Sequence, residues 1–344
     1  MAQEIVIPDS GSGETTAWAS SAKAFSGHGG MSNLATSLLR GAVHTVLSPL
    51  ESRMLARQSA ARWPHVFILG APRSGTSLFY EIMIAGFKFS YFSNFAHRFY
   101  QTPLTATMLG QRLVPKHKPE YQSVYGHISG WAAPNEGGWI WRRWLEDGHW
   151  IDERGLTGLP VEEIRRTLAG ISALADAPFV NKNVMHSNRV RLLDALFPGC
   201  LFLEIRRDAK NTARSIIRAQ QHNKGPRLDR EKWWSVRPSN AGGDTIIERA
   251  CRQVIGVAQD IERDCAHVGS ERYFRIDYEN LCVDPWQVLA NVEVFLSQNG
   301  LSIFPGARDG IPNEFALQPS RPLAPEEELA LERMLRSVQE MAPI

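Results

Sequence analysis

Val66-Phe67-Ile68-Leu69-Gly70-Ala71-Pro72-Arg73-Ser74-Gly75-Thr76-Ser77-Leu78-Phe79-Tyr80 reads as a buried strand, a tight turn and the first turn of a helix. The run from Val66 to Leu69 is short, apolar and closed by Gly70, which suits a parallel strand covered on both faces. Gly70 and Gly75 bracket four residues, so backbone N–H groups in the turn can converge on an anion at the positive end of the following helix. That spacing matches the opening of a Walker A loop, G-x-x-x-x-G-K-S/T, yet Thr76 stands where the lysine belongs. Without that point charge on the β- and γ-phosphates, an ordinary ATPase, GTPase or kinase is disfavoured. Arg73 and the hydroxyls of Ser74, Thr76 and Ser77 remain to hold a phosphate and a neighbouring anionic group.

Around this stretch the chain alternates strand and helix. Helix is expected over 77–86, strand over 87–92, helix over 160–176, strand near 179–183, helix over 188–196 and strand over 200–205. Helix then follows through 211–221, a long helix spans 245–268, a strand 273–278, a helix 285–298 and a terminal helix begins at Pro325. Such alternation predicts an α/β fold: a three-layer sandwich whose central sheet is mainly parallel, with ligands at the carboxyl ends of the strands. Residues 1–30, rich in Ser, Gly and Thr, read as a disordered leader. Residues 31–62 read as an N-terminal helical segment interrupted at Pro49, and 63–344 as one domain. The helical stretch 32–61 is expected to dock on the core, with a peripheral membrane or oligomer contact as the alternative.

The bulk numbers narrow the partners. Net charge is +2, so no overall field draws the chain to nucleic acid, and any anion site must be local. Cys200, Cys251, Cys265 and Cys282 are scattered, without metal-ligand spacing, and read as reduced thiols of a cytoplasmic protein that needs no metal. Neither a signal peptide nor a transmembrane run is expected. Trp131, Trp139, Trp141, Trp144 and Trp150 are crowded together; some belong to a core, and any ring exposed in a cleft suits a sugar or another flat acceptor. The basic and aromatic stretch 222–245 reads as a lid.

A second anion site is expected at Arg207. It sits at a strand's end, and Ser215 lies eight positions on, two helical turns away. A guanidinium and a hydroxyl at that spacing converge on one group, and arginine grips phosphate by two parallel bonds.

With both stretches in hand, the sequence resembles the sulfotransferases that use 3′-phosphoadenosine 5′-phosphosulfate (PAPS). The family's P-R-S-G-T-T/S loop is matched by Pro72-Arg73-Ser74-Gly75-Thr76-Ser77, and its R-D/N-x-x-x-x-x-x-S element by Arg207 to Ser215. Asp277-Tyr278-Glu279-Asn280-Leu281 with Asp284-Pro285 resembles the Y-E-D-L…D-P segment, with Asn280 replacing the acid. Asn181-Lys182-Asn183 resembles the N-K-D/S element. The resemblance spans roughly 64–300, with its four elements in order, and implies a P-loop-like fold. It implies that Arg73, Ser74, Gly75, Thr76 and Ser77 bind the 5′-phosphosulfate, that Arg207 and Ser215 bind the 3′-phosphate, and that Tyr278 belongs to the donor site. Lys182, with Arg73, would stabilise the transferring sulfuryl group, and the product would be adenosine 3′,5′-bisphosphate (PAP).

For the general base the resemblance points in several directions. Val184 occupies the place of the histidine of cytosolic members, and Ser93-Asn94-Phe95 the place of the glutamate of tyrosylprotein-type members. Glu136, in Pro134-Asn135-Glu136-Gly137-Gly138, resembles the P-x-E segment of bacterial members and is the leading candidate. A carboxylate beside tryptophans can be raised towards neutrality, as a base requires. His186, His127 and His97 are the alternatives. The expected reaction is in-line transfer to a hydroxyl of a carbohydrate, glycolipid or small natural product. A non-catalytic nucleotide-binding protein of the same fold is the competing reading.

Overall fold

The computed structural model describes residues 33–123, 126–145, 150–222, 235–308, 310–317 and 320–340. The expected leader, 1–30, lies outside them, as do residues 223–234 of the expected lid. Four strands form one sheet: β1 (Val66–Leu69), β2 (Val180–Lys182), β3 (Leu201–Arg206) and β4 (Tyr273–Asp277), in the order β2-β1-β3-β4. All three pairings are parallel, with Val66 opposite both Val180 and Leu201, and Phe202 opposite Tyr273.

The helices, in chain order, are α1 (Asn33–Ala56), α2 (Thr76–Gly86), α3 (Asn94–Arg98), α4 (Pro103–Leu113), α5 (Gly138–Trp141), α6 (Val161–Ala175) and α7 (Val190–Leu196). After β3 come α8 (Ala209–His222), α9 (Ile246–Val268), α10 (Tyr278–Val283), α11 (Pro285–Gln298) and α12 (Pro325–Glu340). Alternation along the strands makes three layers, because successive side chains point to opposite faces. Phe67, Leu69 and Phe202 enter a core with α5, α6, α7 and α9, whereas Val66, Ile68, Leu201, Leu203 and Ile205 enter one with α2, α10 and α11. A third cluster joins α8, α9 and α12.

Two expectations are corrected. Residues 87–92 do not form a strand: the chain makes only single bridges, Phe87 with Pro305 and Ser90 with Phe179. Phe87, Phe89 and Phe92 are apolar because they fill the core, not because they lie in a ladder. Pro49 does not end the first helix either, since α1 runs through it to Ala56. The proline removes one donor, and the helix beyond it is held by tertiary contacts. Glu51 accepts the N–H groups of Leu104 (3.1 Å) and Thr105 (2.7 Å), capping α4, while Met54 and Leu55 pack on the core. Among the described residues no helix is long and apolar enough to cross a membrane.

Candidate active site

The turn after β1 has the geometry its glycines require. Gly70, Arg73 and Gly75 take positive φ (148°, 69° and 98°). At Gly75 a Cβ would fall 2.2 Å from Tyr278 Cδ2, so this glycine lets the ring of Tyr278 rest on the loop. Ser187 clamps the turn from beside β2: its hydroxyl accepts from Gly70 N (3.0 Å) and donates to Gly70 O (3.1 Å). Gly75 gives α2 no side-chain cap, so the helix presents N–H groups to whatever lies before it. Ser74 is buried with its Oγ unpartnered; the cavity of about 290 Å³ that it lines is shared with Arg206, Arg207 and the carboxylates Glu204 and Glu262, and is not lined by Ser215 or Tyr278. An unsatisfied hydroxyl, free helix N–H groups and a glycine cradle are features an anionic ligand would satisfy.

Arg73 and Ser215, 142 positions apart, meet directly: Arg73 Nε donates to Ser215 Oγ at 3.0 Å. Arg207 lies with its Cζ 4.6 Å from the centroid of the Tyr278 ring and donates to Arg73 O at 3.4 Å. Arg73, Gly75, Arg207, Ser215 and Tyr278 are therefore linked to one another at the carboxyl ends of β1 and β3, with Ser74 buried in the same turn. Burial raises the Tyr278 hydroxyl to about 12, so it stays protonated at neutral pH.

The other half of the site lies across β1, at the end of β2. Lys182 Nζ forms an ion pair with Glu136 Oε1, and the lysine is 2% exposed. The neighbours of Lys182 hold the backbone around Glu136: Asn181 Nδ2 donates to Asn135 O and Asn183 Nδ2 to Glu136 O, each at 3.3 Å. A Cβ added to Gly126 would lie 3.1 Å from Glu136 Oε1, 3.5 Å from Lys182 Nζ and 3.7 Å from Ser77 Oγ. The carboxylate, the ammonium and the hydroxyl from the first turn of α2 thus converge on one point, which Gly126 leaves open. An ion pair this buried is costly unless its partners are fixed, and the two asparagine amides fix the carboxylate's backbone.

The alternative histidines differ in where they stand. His186 is fully buried, bonds Asn181 Oδ1 through Nε2 (2.9 Å) and packs edge-on against Trp141; burial holds its pKa well below the usual value. His127 directly follows Gly126, and its burial lowers its pKa. His97 lies in the last turn of α3. Trp141 and Trp144 belong to the core, and Trp150 Nε1 donates to Asp264 Oδ2 (2.7 Å), so those three are packing residues. Trp131 is exposed, against Phe95. Of the expected lid, 235–245 is fastened to α9: Ser239 N donates to Asp260 Oδ2 at 2.7 Å. Among the described residues no group of three or more His, Cys, Asp or Glu side chains could hold a metal ion.

Comparison with known families covers most of the chain. Residues 64–299 match the model described as the sulfotransferase family. The chain belongs to that family. No curated protein matches it in sequence. Among solved structures, a sulfotransferase from Mycobacterium avium is 17% identical, with 88% of this chain and 73% of that one covered and a TM-score of 0.48. One from Mycobacterium tuberculosis H37Rv is 15% identical, with 75% and 72% covered and a TM-score of 0.48. The sulfotransferase domain of the Synechococcus PCC 7002 olefin synthase is 19% identical, with 83% and 98% covered and a TM-score of 0.40.

Sequence reasoning missed several residues that shape this candidate site. Ser187 and Gly126 carry no motif and act only through the fold. Asn181 and Asn183 were legible as flanks of Lys182, but not as braces of the Glu136 backbone.

Proposed function

We propose that this sulfotransferase takes its sulfuryl group from PAPS and passes it to a hydroxyl of a carbohydrate, glycolipid or small natural product, with Glu136 as base. The observation that carries the reading is the meeting of Glu136, Lys182 and Ser77 at Gly126, one strand away from the Arg73–Arg207–Ser215 surface. On this reading Arg207 and Ser215 hold the 3′-phosphate, with Tyr278 beside them; Arg73, expected at the sulfuryl group, instead bonds Ser215 and so stands on the 3′-phosphate side. The amides and hydroxyls from Ser74 to Ser77 hold the 5′-phosphosulfate.

In the transfer step Glu136 removes the proton of the acceptor hydroxyl, and the freed oxygen attacks sulfur. The new O–S bond forms as the S–O bond to the 5′-phosphate breaks, and its electron pair leaves with PAP. Charge gathers on the sulfuryl and bridging oxygens, where Lys182 and the loop N–H groups stabilise it. A sulfuryl group at Lys182 competes with Glu136 for the ammonium, which frees the carboxylate to accept the proton. Positioning supplies the rest of the acceleration.

Thr76 at the Walker lysine position separates this reading from a kinase. Calorimetric titration with PAP and with ATP tests it: PAP binding tightly and ATP weakly is expected. Tight ATP binding without PAP binding would overturn the assignment of the donor.

A further inference from the structure

Asn94 is buried in the first turn of α3, and every polar atom of its side chain is engaged on one task. Its amide Nδ2 donates to Ile128 O and to Gly130 O, both at 2.7 Å. Its Oδ1 accepts from Asn135 Nδ2 at 2.6 Å. Asn135 in turn accepts from Gly137 N through Oδ1 (2.8 Å), and so brackets Glu136. The backbone already pairs the start of α3 with the segment before Glu136, through Asn94 N to Ala133 O (2.9 Å), Phe95 N to Trp131 O (2.9 Å) and Asn135 N to Phe92 O (2.7 Å). Those bonds end at residue 131. The Asn94 side chain extends the hold to 128 and 130, and hence to the segment that begins at Gly126.

We propose that Asn94 is a positioning residue that sets the wall segment 126–130 and Glu136 in one fixed register over Lys182. This rests on the reading of Glu136 and Lys182 as the transfer pair. Gly126 closes over Glu136 Oε1, Lys182 Nζ and Ser77 Oγ without placing a side chain among them. A wall that drifted would either open Lys182 to water or crowd the point where an acceptor oxygen must enter. Asparagine suits the task because it has two N–H donors for two carbonyls and one acceptor for the amide of Asn135. Aspartate has the same shape and no donor.

The test compares the wild type with Asn94→Asp and Asn135→Asp, reading the rate at which acetic anhydride labels Lys182 relative to Lys210, by mass spectrometry. Lys210 lies on α8, paired with Glu332 of α12, and reports general loosening. Asn94→Asp loses both amide hydrogen bonds to the wall and is expected to raise labelling of Lys182 relative to Lys210 by about 10-fold or more; Asn135→Asp loses the one bond to Asn94 and should raise it less. PAP affinity should stay within about two-fold, because Arg207 and Ser215 are untouched, and turnover of PAPS should fall about 10-fold at unchanged donor KM. A purely structural role would raise both lysines together, or lower the melting temperature and leave the ratio unchanged. Either result in a folded, PAP-binding Asn94→Asp overturns the proposal; if that variant does not fold, the ratio in Asn135→Asp decides. The labelling ratio is independent of which group is the base. Full turnover in Glu136→Gln would therefore defeat the catalytic reading without deciding this one.

Discussion

The two halves of the site are built by different means. The half at β1 and β3 joins charged and hydroxylic side chains directly: Arg73 on Ser215, and Arg207 over Tyr278. The half at β2 is assembled through asparagine amides, with Asn181 and Asn183 on the backbone beside Glu136, and Asn94 and Asn135 holding that backbone to its neighbours. The first half can lose one contact and keep its shape, because strand ends and helix starts already place its groups. The second depends on a segment with little regular structure, so small shifts reach its carboxylate. Donor binding and transfer should therefore be separable by mutation.

Arg207→Ala should separate them most sharply on the donor side. On the proposed reading, in which Arg207 holds the 3′-phosphate, its removal is expected to weaken PAP by about 100-fold. Turnover at saturating PAPS should fall far less, because Lys182 and Glu136 do not touch Arg207. An equal loss in both quantities would merge the two halves.

Gly75→Ala should have a smaller effect on the same half. The new methyl meets the Tyr278 ring, and the backbone φ of 98° is unfavourable for alanine, so PAP affinity is expected to fall about 10-fold. Adding Tyr278→Ala removes the clash, though not the backbone strain. The double variant should bind PAP better than the product of the two single effects predicts, and additive losses would show that ring contact is not what the glycine serves.

These expectations follow the part of the molecule that the sequence made legible. The strand, turn and helix from Val66 to Gly86 are contiguous, and each signal acts within a few residues, so β1 and α2 stand close to where composition and glycine spacing put them. Arg207 and Ser215 are paired in the sequence by their eight-residue spacing; in the structure each contacts Arg73, Ser215 at Nε and Arg207 at the backbone oxygen. Their meeting with Arg73 had no sequence signal: the resemblance put Arg73 at the 5′-phosphosulfate, and the contact crosses 142 positions. The segment 87–92 was misread because three phenylalanines look like a strand whichever way they are buried. The role of Gly126 had no sequence signal at all, as it exists only where three distant segments meet.

Acidification should act through stability, on the side of β1 next to β2. His65, just before β1, packs edge-on against Phe179 and Phe197, and burial lowers its pKa to about 4. The unfolded chain takes up a proton near 6.5, so between those values it binds more protons than the folded one. The stability is present above about 6.5 and is lost as pH falls towards 4, by about 3 kcal/mol at most; His186 acts with the same sign. Urea midpoints at pH 7.5 and 5 should therefore fall less in His65→Phe than in the wild type. Equal falls would place the acid sensitivity elsewhere.

The central claim, that Glu136 acts in transfer and not in holding the donor, is tested most directly by Glu136→Gln in one preparation. Calorimetry with PAP and labelled-sulfate release from PAPS into a panel of hydroxyl acceptors would be measured side by side. PAP affinity should stay within about two-fold of wild type while transfer falls about 10²-fold or more, as for a removed general base. Transfer close to wild type, or PAP binding lost together with transfer, would contradict it.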